Sequence, residues 1–235
     1  MESRQVQENY RRISETIAEA ADRSGRKPEE ITFMAVTKTV APELVNAAIA
    51  CGIKVLGENR VQEYLSKKDS YEKNTPVDFI GTLQSNKVKY IIQDMRLIQS
   101  VNKFSLAKEI ERCAAKLELH QDILLEINIG GEDSKSGLQP DGLPELLMQI
   151  AELEHVHVKG LMTIPPPCQD TSFLQAMQEL FLKTKERIQD SGIPDTEMQI
   201  LSMGMSDDYA QAILCGSTLV RVGSALFGAR DYSKL

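Results

Sequence analysis

The amino-acid sequence predicts an α/β protein, a single closed (β/α)8 barrel with one additional N-terminal helix, and three observations carry that expectation. Short apolar runs alternate with longer segments of helical period from residue 31 onward. Eight such units occupy a chain of 235 residues, close to the ~250 typical of this barrel. Polar residues gather after the apolar runs, where a barrel brings together the carboxyl ends of its strands. Strands alternating with helices imply right-handed parallel crossovers, the arrangement of a TIM barrel. A doubly wound open sheet shares the alternation and is the competing architecture.

The elements follow in order. Val6, Tyr10, Ile13, Ile17 and Ala20 recur at helical spacing and predict an amphipathic helix ending near Ser24 and Gly25. ITFMAV, IKVLG, VDFIG and RLIQSV then read as strands, followed in turn by the helical segments PELVNAAIAC, RVQEYLSKK, SNKVKYIIQ and KFSLAKEIERCAAKL. DILLEINI, VHVKGLM, MQILSM and TLVRVG continue the series, each with its own helical segment down to the short tail SALFGARDYSKL. No linker, low-complexity tract or break in composition interrupts it, so residues 1–235 are expected to form one domain.

Composition narrows the function. The chain is 42% hydrophobic and 26% charged, as a protein with a substantial core should be. Its 27 basic and 34 acidic side chains give a net charge of -7, which argues against a nucleic-acid surface but leaves room for a local anion site. The N-terminal segment has no apolar stretch of signal-peptide length and nothing later approaches a membrane span, so a cytoplasmic protein is expected. Cys51, Cys113, Cys168 and Cys215 are scattered without a C-x-x-C pair and are expected to be buried free thiols.

The strand ends hold the candidate chemistry. Lys38 follows the first apolar run. A strand-end lysine can simply extend its charge to water. It can also form a Schiff base, because partial burial or a nearby cation lowers the amine pKa enough for attack on a carbonyl. Arg221, at the end of the eighth run, supplies such a cation. The loops after strands 7 and 8 contain Ser202, Gly204 and Ser206, then Gly223 and Ser224, with Ser206 placed as the N-cap of a helix beginning at Asp207. Glycine admits an anion close to the backbone, serine adds a donor, and barrels often bind phosphate with these two loops. Ordinary turns use the same residues. A reactive lysine and an anion cradle together suggest a phosphorylated aldehyde, of which pyridoxal 5'-phosphate is an example.

AVTKT, GENRVQE, FIGTLQSNK, EINIGGEDSKSG, GLMTIPP, LSMGMSDD and VRVGSALFGAR occur in this order and cover nearly the whole chain. In these stretches the sequence resembles the YggS/PROSC-like family of pyridoxal-phosphate-binding proteins, the pyridoxal phosphate homeostasis proteins. The resemblance implies a barrel like that of alanine racemase, with pyridoxal 5'-phosphate held as a Schiff base on Lys38. It implies that Arg221 faces the pyridine nitrogen, that Ser202, Ser206, Gly223 and Ser224 belong to the phosphate loops, and that Asn59 and Met162 are pocket residues. Ser224 stands where many relatives have threonine and keeps the hydroxyl.

Two further features compete for attention. His155 and His157 would share a strand face, as two metal ligands might be spaced, but the sequence offers no third ligand nearby and no metal is expected. Glu58 and Glu63 in GENRVQE are candidate acid-base groups, with Glu63 read as structural.

Three functions fit a Schiff-base lysine: a cofactor carrier, a pyridoxal-phosphate racemase and a class I aldolase. Two-base racemisation needs a second acid-base group opposite the lysine, supplied in the racemases by a further C-terminal domain that is not expected here. A permanently protonated Arg221 beside the ring nitrogen disfavours the pyridinium and weakens carbanion chemistry. An aldolase has little use for that arginine. The expectation is therefore a monomeric carrier without robust turnover, serving vitamin B6 homeostasis and possible pyridoxal-phosphate-dependent apoenzymes, with the racemase as alternative.

Overall fold

The computed structural model describes residues 2–132, 136–166, 170–193 and 195–228, so the expectation for Cys168 lies outside the described residues. Helix α1 (Ser3–Arg23) buries Val6, Ile13, Ile17, Ala20 and Ala21 along one face, the stripe that its periodicity requires. Eight strands follow: β1 (Thr32–Val36), β2 (Val55–Glu58), β3 (Val77–Phe79), β4 (Met95–Val101), β5 (Gln121–Ile127), β6 (Val156–Thr163), β7 (Thr196–Ser202) and β8 (Leu219–Val222). They pair in parallel in sequence order, and β8 pairs back onto β1, so the sheet closes and the open-sheet alternative falls.

The outer helices are α2 (Pro42–Cys51), α3 (Val61–Lys67), α4 (Phe104–Ala115), α5 (Leu143–Ile150), α6 (Ser172–Ser191), α7 (Tyr209–Leu214) and α8 (Ser224–Phe227). SNKVKYIIQ, expected to be helical, forms a short 3₁₀ helix over Ser85–Tyr90 instead. Helix α8 is a single turn, and α1 packs against α2 on one side and against α7 and α8 on the other. The N-terminal helix thus fills the place in the outer ring that a full eighth helix would take. Asn9 Nδ2 ties it there by donating to Leu226 O at 2.9 Å, and Tyr10 stacks on Phe33 with ring centroids 5.7 Å apart. Cys113 and Cys215 are buried free thiols, whereas Cys51 is only half-buried.

Strand alternation sorts side chains into two cores. Ala35, Leu56, Phe79, Ile98, Leu201 and Val220 point outward into the layer shared with the helices. Met34, Val36, Val55, Ile80 and Leu219 form one inner cluster, and Leu97, Leu124 and Met162 form another. In β6 the alternation changes phase: Val156 and Val158 join the outer layer, yet so does Leu161, and Met162 turns inward. The cause is a bulge at Gly160, where the pairing register shifts against both neighbouring strands. Gly160 has φ +153°, and a Cβ there would lie 1.8 Å from Ile200 O, so only glycine permits this close approach.

Candidate functional site

Met34 and Val36 face the barrel interior, so Lys38, two residues further along, is directed at its carboxyl-terminal mouth. The loop that carries Lys38 is held on both sides. The Thr37 hydroxyl donates to Glu58 Oε1 at 2.7 Å, and its N–H donates to Gly57 O at 3.0 Å. Thr39 has φ +61°, uncommon for a residue other than glycine, and its N–H donates to Glu63 Oε1. Glu63 also accepts from Lys67 Nζ, which reaches Thr37 O at 3.4 Å. Glu63 is therefore a brace, the structural role read from its place in GENRVQE.

Glu58 faces the helix layer and takes no part in the mouth. It is fully buried and accepts from Thr37 and from the Tyr71 hydroxyl at 2.5 Å, while its Oε2 has no hydrogen-bond partner. Burial pushes its carboxyl above the usual carboxylate range, against the opposing pull of the Tyr71 and Thr37 bonds.

On the β8 side of the mouth, next to β1, Ser206 is not the N-cap that the sequence predicts. Helix α7 begins at Tyr209, and the Ser206 hydroxyl oxygen instead accepts the N–H groups of Gly223 and Ala225, both at 3.2 Å. The two loops are thereby stitched together through one side chain. Arg221, on β8, is buried between them and the barrel floor. Its Nη1 donates to Ser202 Oγ at 2.6 Å and its Nη2 to Thr163 O at 2.7 Å. Burial lowers its pKa to about 10, with Asp208 and Glu126 pulling the other way, so it stays protonated at neutral pH.

Lys38, Asn59, Ser206, Arg221, Gly223 and Ser224 line one cavity of about 190 Å³. Val36, Ile80, Ile164 and Met205 supply apolar walls, and Asp207 adds a carboxylate. Met162 and Ser202 are not in this wall. Met162 is fully buried in the inner apolar cluster, and Ser202 lies beneath Arg221, bonded to it and to Gln99. A neighbouring cavity of about 310 Å³ shares Met205 and Asp207 but contains neither Lys38 nor Arg221. Sequence reading missed Ile164 and Asp207, and it missed the buried polar residues Asp78 and Gln99 inside the barrel. The signal was present for Asp78, the one charged residue in the apolar run VDFIG, but not for Gln99, whose run RLIQSV also carries Arg96 and Ser100.

His155 and His157 do have a third imidazole beside them, contrary to the sequence reading. His120 stacks on both, with ring centroids 5.3 and 4.9 Å apart. The rings meet face to face and His155 Nδ1 pairs with Glu111 at 2.8 Å. Among the described residues, no group of three or more His, Cys, Asp or Glu side chains is placed to hold a metal ion.

The Glu58 carboxyl yields a pH prediction. Its folded pKa is raised above the usual 4.5, so the native state binds more protons than the unfolded chain between the two values. Stability contributed by this group is therefore present below pH 4.5 and is lost as pH rises through the raised folded value. Glu58→Gln should flatten this part of the stability profile, read from urea-unfolding midpoints at successive pH values. An unchanged profile in the variant would assign the slope to other groups.

Residues 3–231 match the family model for the N-terminal domain of alanine racemase. A pyridoxal phosphate homeostasis protein from Aquifex aeolicus is 41% identical over 229 residues, covering 96% of this chain and 98% of that protein. PipY of Synechococcus elongatus, solved with PLP bound, is 31% identical, with a TM-score of 0.75 over 90% of this chain and 100% of that one. The alanine racemase of Clostridium difficile shares only 16% identity but has a TM-score of 0.73 over 97% of this chain and 58% of its own, a likeness of fold alone. The chain belongs to the alanine racemase N-terminal domain family and, within it, to the pyridoxal phosphate homeostasis proteins.

Proposed function

We propose that the cavity holds pyridoxal 5'-phosphate as a Schiff base on Lys38, and that the protein stores and delivers this cofactor instead of turning over a substrate. The observation that carries the reading is that Lys38, Arg221 and the Ser206, Gly223 and Ser224 loops line the same cavity. The residues present fit such a ligand. Apolar walls suit a flat ring, Arg221 brings a buried cation to a ring nitrogen, and Asn59 Oδ1 is a buried acceptor without a hydrogen-bond partner. Ser206 accepts two backbone N–H groups and keeps its own proton to donate to phosphate. The family's pyridoxal phosphate homeostasis proteins and the PLP bound in PipY support the same ligand.

When bound, the cofactor supplies an aldehyde for condensation and a ring that draws electrons from an attached carbon. This chain's residues modify that chemistry. The loop braced by Glu58 and Glu63 orients the Lys38 amine, and Arg221 holds donors where a pyridine nitrogen would otherwise take up a proton. The alternative of a racemase draws on Asp207, which with Lys38 and Arg221 makes up the titratable side chains described in the cavity wall. The carrier reading extends to residues 1–235 acting as one monomeric domain in the cytoplasm and delivering cofactor to pyridoxal-phosphate-dependent apoenzymes. No helix of the described residues is long and apolar enough to cross a membrane.

Ser206→Ala and Ser224→Ala should weaken pyridoxal phosphate by roughly 1.5 to 3 kcal/mol each, the range for a hydrogen bond to a charged group, and unphosphorylated pyridoxal much less. Titration of both ligands by absorbance checks this; equal weakening of the two would move the phosphate elsewhere. Loaded protein incubated with alanine in heavy water should show negligible deuterium uptake at the α-carbon and negligible racemisation. Racemisation at rates usual for an enzyme, about 1 to 10³ per second, would establish the alternative.

A further inference from the structure

We infer that Asp78, Gln99 and Ser202 form a positioning relay that fixes Arg221 at the floor of the cavity. The inference rests on the cofactor reading above only for what Arg221 then touches. The chain crosses the barrel interior through residues of β3, β4, β7 and β8. Arg96 Nε and Nη2 grip the Asp78 carboxylate at 2.8 and 2.6 Å, and Gln99 Nε2 donates to Asp78 Oδ2 at 2.7 Å. Ser202 Oγ donates to Gln99 Oε1 at 2.7 Å, and Arg221 Nη1 donates to Ser202 Oγ at 2.6 Å. Asp78, Gln99 and Ser202 have no solvent exposure and Arg221 has 3%, so water is no ready substitute for a lost link.

The donor order is set from one end. Burial pushes the Asp78 carboxyl up, but both of its oxygens accept, from Arg96 and from Gln99, as an ionised carboxylate does; Gln99 must therefore turn its NH₂ toward Asp78, which leaves its carbonyl for Ser202. Serine has one proton, and Gln99 takes it, so the serine oxygen is left to accept from Arg221. Guanidinium has no acceptor, and a serine whose proton pointed at it would meet donor with donor. The negative charge of Asp78 thus determines which way each hydrogen bond runs, and the last of them holds the guanidinium in place.

Asp78→Asn reverses the order. The new amide must offer its oxygen to Arg96 and its NH₂ to Gln99, which then flips and drives its own NH₂ against Ser202. The Ser202 oxygen must then accept from Gln99 and Arg221 together, while its own proton loses the Gln99 acceptor in a site with no solvent exposure, and the contact to the guanidinium weakens. Asp78→Asn combined with Gln99→Glu restores it: the amide donates to the new carboxylate, whose second oxygen accepts the serine proton. The charge has moved one residue along the relay, and from position 78 inward to Arg221 every donor again meets an acceptor; Arg96, whose side chain is 37% exposed, keeps one of its two bonds to position 78.

The test uses two NMR readouts. In ¹⁵N-labelled protein without added cofactor, solvent exchange of the Arg221 guanidinium protons should speed up by about tenfold or more in Asp78→Asn and return toward the starting rate in the double variant. In protein loaded with pyridoxal phosphate labelled at its ring nitrogen, the ¹⁵N shift should move toward the protonated position in the single variant and return in the double. A relay residue that serves folding alone would lower the melting temperature without moving the ring nitrogen. If Asp78→Asn does not fold, Ser202→Ala keeps the Asp78–Arg96 pair and breaks only the link to Arg221, and the same shifts are expected. Starting-protein values in the single variants, or a double variant no closer to them than Asp78→Asn, would overturn the relay. Failure of the unmodified protein to take up cofactor would overturn the cofactor reading alone, because guanidinium exchange still decides the relay.

Discussion

A guanidinium sealed inside a β-barrel is the constraint around which the interior of this protein is arranged. Arg221 cannot shed its charge at neutral pH, and burial of an unpaired cation would cost several kcal/mol. The barrel answers with oxygen atoms from several strands: Ser202 Oγ from β7, Thr163 O from β6, and the more distant carboxylates of Glu126 and Asp208. Each of these must itself be satisfied. Gln99 and Asp78 complete the series and carry the polar chain through what is otherwise an apolar core. The bulge at Gly160 belongs to the same solution, because it changes the phase of β6 just before Thr163 presents its carbonyl.

The adjoining β1 side of the mouth is built on a different principle. Lys38 sits in a short loop that is bonded from outside the barrel, by Glu58 through the Thr37 hydroxyl and by Glu63 through the Thr39 N–H. Neither carboxylate lines the cavity, so they constrain the lysine loop from outside it. The positive φ of Thr39 is the local cost of that geometry, and the Glu63 bond to its N–H helps to hold it. A braced lysine loop after β1 and a fixed guanidinium on the neighbouring β8 give the cavity two rigid points, with the Ser206 stitch between the β7 and β8 loops as the third.

Much of this was legible in the sequence because barrel geometry follows from periodicity. The eight apolar runs correspond to the eight strands; position at a strand end pointed to Lys38, Ser206, Arg221, Gly223 and Ser224, and the family resemblance to Asn59, and all six line one cavity. Ser202 and Met162 show where that reasoning stops. Ser202 is the last residue of its strand and was grouped with the loop beyond it, but strand alternation turns it under Arg221. Met162 faces inward only because of a bulge, which depends on long-range pairing that no local window contains. Ser206 looked like a helix cap because it precedes two aspartates; its actual partners are 17 and 19 residues away in the next loop. The His120 stack was hidden for the same reason, since its three rings come from either side of β5 and meet only in the folded sheet.

In the function proposed for this cavity, Lys38 holds the cofactor. Borohydride reduction of protein loaded with pyridoxal phosphate, followed by peptide mass spectrometry, tests this most directly, because reduction makes the Schiff base permanent. The predicted result is a yellow protein whose visible band disappears on reduction, with a phosphopyridoxyl adduct on the peptide containing Lys38. An adduct confined to other lysines, or no adduct from protein that binds the cofactor, would contradict it.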